Sequence, residues 1–179
     1  MHGVHASPTV AMITVTGVPD HAGATAAVFR IVAEQDVNLG LVSQNPTGAP
    51  TGRTTIAFTV ARPAGPVVLG ALRAARARIG FHGVHLDDDV AVITLTGAGL
   101  RSDPAVPATF CEVLARRGVR MEIVSIEGGQ ISAACGQHEL ENAVRALCEV
   151  FEVGAPSSST PGEGTTLLTR RDRLCVPRG

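Results

Sequence analysis

The chain has 179 residues, 45% hydrophobic and 17% charged, with a formal net charge of −1. That is enough for one ordinary domain or two small ones with a buried core, and it carries no electrostatic footprint for nucleic acid or an anionic membrane. All 15 basic residues are arginine, which excludes Schiff-base, phosphate-loop and kinase-type catalytic lysines.

Other absences narrow the field further. There is no Trp or Tyr and only five Phe, so base-stacking platforms and cation cages lack their material. No apolar run approaches the ~20 residues needed to cross a bilayer. Met1-His2-Gly3-Val4-His5 has no basic region followed by an apolar core. A cytoplasmic protein without a cofactor is the expectation.

The first element is a β-branched run, Met12-Ile13-Thr14-Val15-Thr16-Gly17, stopped by glycine. A polar loop, Val18 to Gly23, leads to apolar residues at helical spacing: Ala24, Ala27, Val28, Ile31 and Val32. A second strand is expected over Val37 to Ser43, a turn over Pro46 to Gly52, a third strand over Thr54 to Val60, and a helix over Pro66 to Ile79. A fourth strand, Gly83 to Leu86, completes βαββαβ.

The pattern then repeats. Val92-Ile93-Thr94-Leu95-Thr96-Gly97 echoes the first run, followed by a loop from Ala98 to Pro104 and helical spacing at Val106, Phe110, Val113 and Leu114. Strands are expected over Val119 to Ser125 and Gln130 to Ala134 around Gly128-Gly129, and a helix over His138 to Phe151. This second unit has no strand after its helix. An antiparallel sheet lacking one strand leaves an open edge, and Gly3 to Ser7 is favoured to fill it over the segment Thr165 to Val176. Asp87-Asp88-Asp89 reads as a solvated turn between the units.

From Gly154 the composition turns to Gly, Pro, Ser and Thr, then to Arg170-Arg171-Asp172-Arg173, which reads as a flexible linker and a basic terminus. The irregular spacing of Cys111, Cys135, Cys148 and Cys175 suits buried thiols rather than a zinc or redox motif.

Gly17-Val18-Pro19-Asp20-His21-Ala22-Gly23, with Val37-Asn38 leading to Val42-Ser43-Gln44-Asn45, resembles the first ACT module of bacterial aspartate kinases. Asp87-Asp88-Asp89-Val90-Ala91 followed by Gly97-Ala98-Gly99-Leu100-Arg101-Ser102 resembles the junction into their second module. The resemblance covers roughly residues 3–153, and no catalytic kinase segment accompanies it. It implies an α+β fold of two tandem ferredoxin-like βαββαβ ACT modules. Residues 1–8 would be a strand lent to the second module, 9–88 the first module, 89–153 the second, and 154–179 the tail.

The resemblance also implies a non-catalytic regulatory β subunit that dimerises, binds lysine, threonine or a related small amino acid at ACT–ACT interfaces, and acts on an aspartate kinase catalytic chain. Carried over by position, the effector site is Asp20, His21, Ala22, Gly23 and Ala24 with Asn38, Gln44 and Asn45. A helix amino terminus offering N–H groups to a carboxylate suits this role. Asp20 reads equally as a helix cap, and Asn38, Gln44 and Asn45 as ordinary loop and strand-end polar residues.

Several positions depart from the family. His21 stands where lysine is usual and Ala22 where proline is. In the second module Arg120 replaces an asparagine, and Ser125-Ile126-Glu127-Gly128 replaces a hydroxyl-rich stretch, so Arg120, Ser125 and Glu127 mark an altered second site. Two alternatives follow: a free-standing paralogue that binds or converts another small molecule, and a structural dimerisation module with inactive sites. Catalysis would need His21, Arg120, Glu122, Glu127 and Cys135 to converge. A metal site at His82 and His85, or His2 and His5, with Asp87 to Asp89 is not expected, because side chains at i and i+3 of a strand point to opposite faces.

Overall fold

The structure, a computed structural model, describes residues 2–46, 52–97, 100 and 102–152. In chain order the elements are β1 (His2–Pro19), α1 (Ala22–Ala33), β2 (Val42–Pro46), β3 (Arg53–Ala61), α2 (Gly65–Ile79), β4 (Gly83–Gly97), α3 (Ala105–Arg116), β5 (Ile123–Glu127), β6 (Gln130–Gly136) and α4 (Leu140–Val150). Short 3-10 turns at Arg62–Ala64 and Gln137–Glu139 lead into α2 and α4. The strands form one sheet in the order β2-β3-β1-β4-β6-β5, every neighbour antiparallel.

β1 and β4 pair along their lengths but change module midway. Val10 to Thr16 face Val90 to Gly83 and, on the other side, β3; Gly3 to Ser7 face Thr96 to Val92. The first module is therefore built on β2, β3, the second half of β1 and the first half of β4. The second is built on β5, β6, the second half of β4 and the opening of β1. The amino-terminal segment fills the open edge, and Val4 drops into the second core.

The continuity of β4 corrects the reading of Asp87-Asp88-Asp89 as a turn between units. All three lie inside a fifteen-residue strand. The pairing register slips between Ser7 and Val10 and again between Val10 and Met12. Such bulges absorb an extra residue and bend a strand without ending it, so the acidic run needs no turn. The Asp87 carboxylate accepts the Asp89 N–H at 2.9 Å.

Both second strands start later than the apolar pattern predicts, at Val42 and Ile123. The preceding apolar residues are plugs that follow a helix. Val37 and Leu39 pack on the first core from a connection that begins at Asp36, whose φ is 54°. Val119, just past Gly118 at φ 72°, packs on the second core and donates its N–H back to Leu114 at 3.0 Å. An apolar run of this length does not by itself separate a strand from such a plug.

Each module has its own core. Ile13, Val15, Ile56, Phe58 and Leu72 centre the first; Ile93, Leu95, Phe110, Leu114, Ile131 and Leu147 centre the second. A third, smaller cluster of Met12, Val90, Ile123 and Ala134 draws on strands of both modules. Each fully buried Leu, Ile or Phe contributes roughly 1.5–3 kcal/mol relative to exposure. The outer strands β2 and β5 have one neighbour each, and Val42, Val124 and Ile126 are exposed on them. The expected linker and basic terminus from residue 154 onward, most of the Pro46–Gly52 turn and Cys175 lie outside the described residues.

Candidate functional site

At one end of the first module the β1–α1 connection, the start of α1, the end of β2 and the start of β3 converge. Gly17 allows the convergence: β1 bulges between Val15 and Val18, Gly17 takes φ 64°, and a Cβ there would collide with the His82 ring. Arg53 fixes the back of this end, donating from Nη1 to the Gly17 carbonyl at 2.5 Å and the Gly80 carbonyl at 2.9 Å. The Asp20 N–H donates to the Gly52 carbonyl at 2.8 Å.

His21, not Asp20, caps α1. Its Nδ1 accepts the Ala24 N–H at 3.2 Å from extended backbone at φ −146°. The capping half of the Asp20 reading is thus overturned: the cap lies one residue on, which leaves the exposed Asp20 carboxylate outside the helix. Among the described residues, no hydrogen bond engages the N–H groups of Ala22 and Gly23, as is usual for the first donors of a helix. Beside them Gln44 donates from Nε2 to the Thr25 hydroxyl at 3.4 Å. The Asn45 carbonyl accepts the Thr54 hydroxyl at 2.9 Å.

Seven of the eight sequence-derived positions, Asp20, His21, Ala22, Gly23, Ala24, Gln44 and Asn45, gather at this end. Asn38 does not join them through any hydrogen bond among the described residues; it lies exposed in the α1–β2 connection. Thr25 and Arg53 were missed. Thr25 sits at an unremarkable helical position, and Arg53 opens a strand; only the fold turns one toward Gln44 and the other toward two carbonyls.

The second module is arranged differently. Just before α3 the Asp103 carboxylate accepts the Ala105 N–H at 2.8 Å, so a negative charge already engages that helix start. Arg120 and Glu127 are not neighbours. Arg120 precedes β5, its N–H on the Glu139 carboxylate at 3.2 Å, whereas Glu127 ends the strand. Four steps along the strand separate Ile123 from Glu127 by about 13 Å. Ser125 lies in register with Ser132, which is hydroxyl-bonded to Thr94 at 2.9 Å. Leu100, Ile126, Glu127, Gly128, Gly129 and Gln130 line an open cleft of about 420 Å³.

Of the set that catalysis would need, Glu122 lies near Cys135, but the thiol is masked. Cys135 is fully buried in the second core, and burial, with Glu139 and Glu122 nearby, pushes its thiol up to about 11. A thiol so protected is inert at neutral pH. Burial also raises the Cys148 thiol. Among the described residues no three His, Cys, Asp or Glu side chains cluster to hold a metal. No described helix is long and apolar enough to cross a membrane.

Two ferredoxin-like halves, each with two helices, define a tandem ACT-domain protein, and the ACT domain family matches residues 11–79 and again 93–151. The chain is 42% identical over 163 residues to the aspartokinase of Mycobacterium tuberculosis, covering 91% of itself but 39% of that protein. It thus spans about two fifths of the length of such relatives. The regulatory subunit of aspartate kinase from Thermus thermophilus, in its ligand-free form, superposes with a TM-score of 0.77 at 32% identity, over 83% of this chain and 97% of that one. A structure of aspartokinase alpha and beta subunits matches with a TM-score of 0.78 at 28% identity, over 84% and 97% of the two chains. This chain belongs to the regulatory-subunit family of aspartate kinase.

Proposed function

We propose that the chain is an amino-acid-sensing regulatory subunit that binds lysine, threonine or a related small amino acid at the first-module site. The carrying observation is the α1 amino terminus: exposed helix-start N–H groups flanked by the Asp20 carboxylate and the Gln44–Thr25 pair. These groups complement a ligand with a carboxylate, an ammonium and a polar side chain. In the second module the Asp103 carboxylate already takes the Ala105 N–H that a ligand carboxylate would use, so the reading assigns one working site to each module pair.

The mechanism is differential affinity for two arrangements of modules and partners, since a ligand that binds both equally shifts nothing. The partners in this reading are a second copy, meeting at the edge strands that expose Val42, Val124 and Ile126, and an aspartate kinase catalytic chain in the cytoplasm.

Isothermal titration of the full chain with each amino acid tests the proposal. Lysine or threonine should bind, and Asp20→Ala should abolish the heat. At 100 times its dissociation constant a ligand adds roughly 2.7 kcal/mol of stability, visible in dye-based melting. Silence across all amino acids would leave a structural dimerisation role or another ligand, and the sensor reading would fall.

A further inference from the structure

We propose that Arg62 is the latch that fixes the two modules against each other. Where β1 and β4 cross from one module to the other, the two register slips interrupt the ladder. Backbone carbonyls released in this way need donors from elsewhere. Arg62 supplies them: Nη2 donates to the Pro8 carbonyl at 2.7 Å and the Val90 carbonyl at 3.4 Å, and Nε to the Val10 carbonyl at 3.3 Å. One guanidinium therefore holds both strands at the crossing, a task that suits its planar fork of five donors.

The same Nη2 also donates to the Gln137 side-chain carbonyl. Arg62 opens the 3-10 turn after β3, and Gln137 opens the 3-10 turn after β6. They occupy equivalent corners of the two modules and meet across the crossing. The described acceptors of this half-buried cation are neutral, drawn from β1, from β4 and from the second module. An ordinary surface arginine reaches for solvent or a carboxylate; this one is spent on joining the halves.

Hydrogen exchange followed by mass spectrometry on the full chain tests the latch, with Arg62→Met keeping the aliphatic stem and removing the donors. Amides from Ala6 to Met12 and from Asp88 to Val92 should exchange at least about tenfold faster, while the outer β2–β3 and β5–β6 ladders change by less than about threefold, because opening would be local to the crossing. Gln137→Ala removes only the arm between modules and leaves the backbone bonds. It should produce the same local pattern to a smaller degree, and it serves alone if the Arg62 variant does not fold. The double variant should exchange no faster at the crossing than Arg62→Met. Uniform acceleration across both modules, or no acceleration at the crossing in a folded variant, overturns the proposal.

Discussion

Gln44 on the edge strand β2 donates its side-chain amide to the Thr25 hydroxyl in the first turn of α1, 3.4 Å away. The bond crosses from sheet to helix beside the groups assigned to the effector. Both partners are near the surface, so the contact adds little to stability and its use lies in placing the amide. Gln44→Ala should weaken amino-acid binding roughly tenfold, the size of one hydrogen bond to a charged group, and leave the melting temperature within about 2 °C. Thr25→Ser should bind like the parent. Calorimetric titration of the variants separates the two effects.

His21 accepts the Ala24 N–H and starts α1. His21→Ala should cost about 1 kcal/mol of stability, the usual loss when a cap is removed. His21→Asn should recover most of it, because asparagine caps by the same bond. Urea unfolding of the three chains gives the comparison directly; a destabilisation that Asn fails to repair would mean the histidine acts through packing instead.

Cys135 offers a pH dependence whose sign is definite. Its native thiol titrates near 11 against 9.0 in the unfolded chain. Between those values the unfolded state loses its proton while the native state keeps it, so stability falls as pH rises. The full contribution is present below pH 9 and declines toward pH 11, by at most about 1.4 kcal/mol per pH unit. Cys135→Ala should flatten that part of the stability curve. In the native protein at pH 8, iodoacetamide should leave Cys135 unmodified, as mass spectrometry would show.

Val4 anchors the lent strand in the second core, 4% exposed. Val4→Ala should destabilise by about 2 kcal/mol through the lost methyl groups and the cavity they leave. Val4→Asp should go further and release the second module from its fourth strand. Hydrogen exchange in α3 and α4 should rise ahead of exchange in α1 and α2. Equal rises everywhere would show that the strand supports the two modules alike.

Much of this was legible in the chain. The repeat beginning at Met12 and Val92 marks two units, and the missing strand of the second points back to Gly3–Ser7. What escaped has a physical cause in each case. Val37, Leu39 and Val119 are apolar and fall where strands are expected, but they plug cores from connections. Asp87 to Asp89 look like a turn because three carboxylates favour solvent, a preference that a bulged strand satisfies equally. Thr25 and Arg62 carry no local pattern; their partners lie 19 and 75 positions away in the chain, and only the folded sheet brings them together. Arg120 and Glu127 stand at opposite ends of one strand, and an extended strand keeps its two ends apart.

The lent strand sets an order of events during synthesis. Gly3 lies opposite Thr96, 93 positions further along. At ordinary translation speeds of 5–20 residues per second, the first of these residues waits roughly 5–20 s for the other to emerge. Through that interval Ala6, Val4 and their neighbours present an unsatisfied strand edge, open to any chain that meets it. The second half of the molecule, for its part, cannot be made in isolation: a fragment starting near Asp89 would have three strands and an empty slot. The lent strand is thus held in reserve until its module has emerged, and a ribosome pause between residues 7 and 92 would prolong the exposure of that edge.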